Sequence, residues 1–287
     1  MTLEEVLQER ERAIQRRIEQ ASNEKWTELN LSSLNLKELP AEIVKCTHLT
    51  RLDFSRNQLT SIPEELGQLS SLTRLDLSDN KITDIPETLG QLSNLTVLSL
   101  GENNIACIPE ALGQLSNLTW LSLSRNKITC IPEAFGHLSN LRGLSLWTNK
   151  ITSIPETCGQ LSNLTQLDLS NNKITCIPEA LGKLSKLTQL KLSHNQITCI
   201  PEALGQLSEL KLLTLDNNKI TFIPDAFGQL SNLESLYLYS NQITCIPEAF
   251  GQLFNLRHLY FDNEIVSIPQ MLHDTADCRF IADSNSI

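Results

Sequence analysis

Five cysteines occupy one position of a recurring phrase: Cys107, Cys130, Cys176, Cys199 and Cys245 each precede an Ile-Pro pair. If successive phrases stack as strands, Cys107 and Cys130, or Cys176 and Cys199, stand about 5 Å apart. That separation permits a disulfide or capture of a soft metal ion. No C-x-x-C or Cys/His spacing of a zinc site accompanies them. Ser61, Asp84, Ser153 and Phe222 fill the same position in other copies. A phrase copied together with its cysteine accounts for the column without a redox or metal role.

No other arrangement supplies chemistry. The five histidines are scattered, without an H-E-x-x-H pair, and there is no G-x-S-x-G elbow to expose a nucleophile. A phosphate loop of the form G-x-x-x-x-G-K-[ST] is missing, and Gly182-Lys183-Leu184 is a variant of the phrase. We expect no catalytic residue, no cofactor and no metal. An acidic residue follows the proline at Glu64 and at every 23-residue step to Glu248. At the start of a short helical segment such a charge offsets the backbone dipole, a simpler reading than a cation-binding stripe.

The elements behind these columns follow from the period. Asn57 recurs every 23 residues as far as Asn241, and all eleven prolines fall in one column from Pro40 to Pro269. Within a copy, Leu75 and Leu77 alternate with Arg74, Asp76 and Ser78, which marks a short strand with one buried face. Asn80 then satisfies backbone groups where the chain leaves the strand, and Ile82 and Ile85 return to the core. Pro86 is expected at the first position of a short helical or 3₁₀ segment, and Gly90 and Leu92 carry the chain beneath the next strand.

The phrase L-x-x-L-x-L-x-x-N-x-I-T-x-I-P-E-x-L-G-x-L-S-x resembles the leucine-rich repeat, in the 23-residue form common in plant and bacterial intracellular proteins, from Trp26 to Met271. The resemblance implies an α/β fold: a right-handed leucine-rich-repeat solenoid, a horseshoe with a concave parallel sheet, of about eleven coils, with a helical N-terminal cap. Residues 1–25 are expected to be the amphipathic cap helix, 26–271 the solenoid, and 272–287 a degenerate C-terminal cap with a polar tail. In the cap, Thr2 and Glu5 match a capping box, and Leu3, Val6, Leu7, Ile14 and Ile18 share a helical face. Together with residues 27–40, this segment is similar to the start of bacterial Roco-type proteins, in which repeats precede a GTPase. Without a phosphate loop, that resemblance implies a recognition module acting with a catalytic partner on another chain.

In such a fold the outward strand positions carry recognition. Aromatic residues make up only 5% of the chain, yet all three tyrosines and two of the three tryptophans fall in these outward columns. Tyr and Trp are the residues most enriched in binding hot spots. Trp120 and Trp147, with Val97 beside them, form one expected patch; Tyr237, Tyr239, His258 and Tyr260 form another. Gln166, Asp168, Gln189 and Lys191 give a polar stretch between. Arg51, Asp53, Arg74 and Asp76 read as a solvated lattice of weak ion pairs.

Composition sets the outer bounds. A net charge of -10 argues against nucleic acid and against an anionic membrane surface. No run is apolar for long enough to span a bilayer, and the charged N-terminus lacks the apolar stretch of a secretory signal. The expectation is a cytoplasmic, monomeric scaffold or adaptor in signalling that binds a protein partner through the concave sheet.

Overall fold

The computed structural model describes residues 3–261 and 279–282, with side chains from 8 to 261. The chain divides into two compact units, Met1–Lys127 and Ile128–Ile287. The first unit contains helix α1 (Leu3–Asn23) and strands β1 (Glu28–Asn30), β2 (Arg51–Asp53), β3 (Arg74–Asp76), β4 (Val97–Ser99) and β5 (Trp120–Ser122). The second contains β6 (Gly143–Ser145), β7 (Gln166–Asp168), β8 (Gln189–Lys191), β9 (Leu212–Thr214), β10 (Ser235–Tyr237), β11 (His258–Phe261) and β12 (Arg279–Ala282).

In each unit the strands pair in parallel with their sequence neighbours, at a register of one repeat. Leu52 lies opposite Leu75 in the first unit, and Leu190 lies opposite Leu213 in the second. Five-residue 3₁₀ segments, such as Glu87–Gln91 and Glu179–Lys183, carry the chain back between strands. The fold is a right-handed leucine-rich solenoid with a parallel sheet and a helical N-terminal cap. Each strand is only three residues long in all but two cases, because the chain must turn out of the sheet once per repeat.

The core is built by column. Leu75, Leu77, Ile82, Leu89, Leu92 and Leu95 of one coil are each at most 1% exposed. Burying one such side chain contributes about 1.5–3 kcal/mol. The apolar face is nonetheless closed only by the next coil, so stability is shared between neighbours.

Two backbone details differ from expectation or go beyond it. Pro86 sits one residue ahead of its 3₁₀ segment, at φ -70° and ψ 145°, and not in the first position. Its extended ψ keeps it outside the helix, while its carbonyl accepts the first hydrogen bond, from Leu89 N–H at 3.1 Å. The residue before each ladder asparagine has a left-handed φ of 53° to 57°: Arg56, Asp79, Glu102, Arg125, Thr148, Asn171, His194, Asn217 and Ser240. None is glycine, although that region favours glycine. The glycine column is used for close approach instead. A Cβ on Gly182 would overlap the Ala203 carbonyl of the following coil.

The asparagine ladder is present as read. Asn80 Nδ2 donates to the carbonyls of Phe54, Leu77 and Ser78 at 3.0, 3.1 and 3.2 Å. Its Oδ1 accepts from Leu59 N–H at 3.0 Å. One amide thus serves two coils and leaves none of its own polar atoms idle.

At the N-terminus, α1 buries Ile14, Ile18 and Ala21. The imidazole Nε2 of His48 lies 3.0 Å from the Ala21 carbonyl and Cys46 Sγ donates to that of Ile18 at 3.6 Å, so the helix end is tied to the first coil. The expected capping-box residue Thr2 lies outside the described residues. At the other end, β12 pairs in parallel with β11. The rest of 272–287 lies outside the described residues.

Candidate functional site

The outward face of each sheet is where variable side chains gather. In the first unit, Val97 and Trp120 are strand-register partners on β4 and β5. Trp120 is 39% exposed, a large apolar surface for a strand residue. Beside them lies a hollow of about 230 Å³, lined by Glu28, Arg51, Asp53, Arg74, Asp76 and Val97. Arg51 pairs with Glu28 at 2.9 Å, but both are exposed, so the pair contributes little. Asp53 and Asp76 are engaged locally, accepting from the N–H groups of Ser55 and Ser78 at 2.8 and 2.9 Å.

In the second unit Trp147 is half-buried just past β6. It belongs to a different compact unit from Trp120. Gln166 lies opposite Gln189, and Asp168 opposite Lys191. Opposition does not produce an ion pair between Asp168 and Lys191; Asp168 accepts instead from Ser170 N–H at 3.1 Å.

The tightest grouping is at the C-terminal end of that unit. Tyr237 and Tyr260 are register partners on β10 and β11, and their rings stack with centroids 4.3 Å apart and planes inclined by 12°. His258 lies near Tyr260, at 6.3 Å between centroids. Its Nδ1 is buried without a hydrogen-bond partner. Tyr239 follows β10, half-buried. Three of these four side chains, Tyr237, Tyr260 and His258, are therefore joined by ring contacts.

Sequence reading passed over Asp216. It is 4% exposed, and its carboxylate accepts from Ser193 Oγ at 2.6 Å and Asn217 Nδ2 at 3.0 Å. Ser193 Oγ also lies 2.7 Å from Thr214 Oγ1. The available signal was a break in a column otherwise rich in serine (Ser32, Ser55, Ser78, Ser124, Ser170, Ser193). Burial chiefly, then a hydrogen bond to Tyr260 and the charge of Asp216, push the Tyr237 phenol above its ordinary pKa.

The cysteine column is exposed: Cys107, Cys130, Cys176, Cys199 and Cys245 are free thiols. Cys158 is different. It fills a buried position taken by leucine or phenylalanine in other coils, and burial, reinforced by Glu133, pushes its thiol up to about 12. Among the described residues, no group of three or more His, Cys, Asp or Glu side chains can hold a metal ion. No helix among them is long and apolar enough to cross a membrane.

Two family models, described as leucine-rich repeat and leucine-rich-repeat region, match the chain between residues 27 and 265. A search of curated proteins gave no significant match. Among solved structures, the ectodomain of the Arabidopsis thaliana membrane receptor kinase GASSHO1/SCHENGEN3, in complex with Casparian strip integrity factor 2, is 31% identical with a TM-score of 0.74. The alignment covers 85% of this chain and 33% of the receptor chain. The Arabidopsis receptor kinase HAESA, in complex with a peptide hormone and a co-receptor, is 28% identical with a TM-score of 0.78, over 89% of this chain and 45% of that one. An internalin from Listeria monocytogenes is 25% identical with a TM-score of 0.63, over 91% and 88%. The chain therefore spans a third to less than half of the two plant receptor chains. These likenesses overturn two expectations. The relatives are a receptor ectodomain, a receptor kinase and an internalin, so neither the cytoplasmic placement nor the intracellular Roco-type kinship stands. The cytoplasmic placement rested on the charged N-terminus and on the intracellular form of the 23-residue repeat, and the Roco-type kinship on a few first-coil residues. The same repeat chemistry serves extracellular arrays equally well.

Proposed function

The chain belongs to the leucine-rich-repeat family, and from that premise we propose that it recognises an extended peptide segment of a protein ligand on the outward face of its sheet. It is a non-enzymatic interaction domain. The observation that carries the peptide reading is the contrast between columns. The leucines at the strand centres are buried in every coil from Leu29 to Leu259, while the positions beside them vary widely in type along the array and include Trp120, Gln166, Gln189, Lys191, Tyr237 and Tyr260. A peptide crossing strands spaced about 4.8 Å apart meets a new outward side chain at each step, so the order of side-chain types along the array can select a sequence.

The complex of the receptor kinase HAESA with a peptide hormone supports this reading, and the receptor ectodomain among the relatives supports recognition outside the cytoplasm. We assign residues 1–25 to the cap, 26–271 to the repeats and 272–287 to the C-terminal cap. Val97 completes the proposed contact surface of the first unit, and Trp147, Asp168, Tyr239 and His258 complete that of the second.

Selection of binders from a random peptide library displayed on phage tests it. Gln166→Lys, Gln189→Glu and Tyr237→Ala should weaken selected peptides by about tenfold or more, the scale of hot-spot losses. Glu202→Lys, in a 3₁₀ segment, should not. A library yielding no binders, or binders sensitive only to Glu202→Lys, removes the reading.

A further inference from the structure

Tyr237 lies in register between Tyr260 on β11 and Thr214 on β9. Tyr260 covers one face of that ring, and the other face turns toward β9, where the register partner is the short Thr214. Two residues further on, Asp216 is almost fully buried while holding only neutral donors, Ser193 and Asn217. Among the described residues no Lys or Arg forms an ion pair with it. A carboxylate withdrawn from water without a cation is an incomplete pair, and each of its oxygens can accept a further bond. The adjoining aromatic face carries a negative quadrupole that also attracts positive charge. A planar guanidinium satisfies both at once, stacking flat on a ring while its edge donates to a carboxylate.

Resting on the peptide-binding reading, we propose that the open face of Tyr237 and the carboxylate of Asp216 form the anchor site for an arginine side chain of the ligand. Lys191 lies beyond Thr214, in register with it on β8. Its charge opposes the incoming guanidinium, so it tunes the site downward.

The test is an NMR titration of the folded chain, following the tyrosine ring resonances, with N-acetyl-argininamide and its neutral analogue N-acetyl-citrullinamide. The arginine probe should shift Tyr237 saturably and bind about fivefold or more tighter than citrulline, as expected for a partly desolvated cation–π contact with an added ion pair. Asp216→Asn and Tyr237→Leu should each weaken the arginine probe by about fivefold, and Lys191→Met should strengthen it, with Tyr239 shifts reporting an intact fold. Equal binding of both probes, no response at Tyr237, or loss of binding in Lys191→Met overturns the proposal. A phage-selected peptide that is sensitive to Gln166→Lys but lacks arginine and ignores Asp216→Asn keeps the peptide-binding reading and removes only the arginine anchor.

Discussion

The rings of Tyr237 and Tyr260 lie face to face, 4.3 Å between centroids, on adjacent strands of the second unit. Stacked aromatic pairs add about 0.5–1.5 kcal/mol beyond burial. The pair also gives the outward face a rigid aromatic edge, because Tyr loses little rotamer freedom when it binds.

The first prediction follows from the raised Tyr237 phenol. Tyr237, Tyr239 and Tyr260 are the only tyrosines in the chain, so a spectrophotometric tyrosinate titration reads them alone. Tyr237→Phe should remove a step that lies above the ordinary tyrosine range, and Asp216→Asn should move that step down. For stability, the group's folded pKa lies above its unfolded value near 10. Its contribution is therefore complete below pH 10 and is lost as pH rises through the folded pKa. Chemical denaturation at rising pH should show a shallower loss in Tyr237→Phe than in the parent.

Asn172 is expected to be among the costliest single positions. Its Nδ2 serves the carbonyls of Leu146, Leu169 and Ser170 at 3.1, 3.0 and 3.2 Å, and its Oδ1 takes Ile151 N–H at 3.0 Å. Asn172→Ala strands a buried N–H and reduces satisfaction of three carbonyls, for a loss of about 2–4 kcal/mol at about 1–3 kcal/mol per unsatisfied group. A urea midpoint unchanged by the substitution would contradict the ladder's role.

Thr148 offers the opposite sign. It is a β-branched residue held at φ 56°, where branching is disfavoured. Asn171 occupies the same column one coil later at φ 54°. Thr148→Asn should raise stability by about 0.5–1 kcal/mol, read as a higher thermal midpoint with the same near-UV spectrum.

Thiol mapping separates the exposed column from the core. Under native conditions at pH 8, iodoacetamide should label Cys107, Cys130, Cys176, Cys199 and Cys245 and spare Cys46 and Cys158, as located by peptide mass spectrometry. Burial raises both protected thiols, Cys158 to about 12, and reaction requires the thiolate. Labelling of Cys158 at the rate of Cys176 would show that its coil opens readily.

Much of this protein was legible one residue at a time. The alternation around Leu75, the asparagine at Asn80 and the glycine at Gly90 each stated a local rule. Repetition at a fixed step turned those rules into a stacked sheet, because an apolar face that one coil leaves open can be closed only by the next. The outward columns were legible for the same reason: whichever strand residues flank a buried leucine must face away from the core.

Compartment and kinship were not legible in that way, since repeat chemistry is the same in either setting and the first-coil likeness was short. Nor were the left-handed residues from Arg56 to Ser240, whose types follow no common preference; the turn geometry of the stacked coils imposes the conformation. Asp216 shows the limit most plainly. As a sequence position it is one acid in a serine-rich column. Only tertiary structure buries its carboxylate, supplies Ser193 from the preceding coil, and sets the Tyr237 ring of the following coil beside it. Those relations depend on which side chains three separate coils bring together.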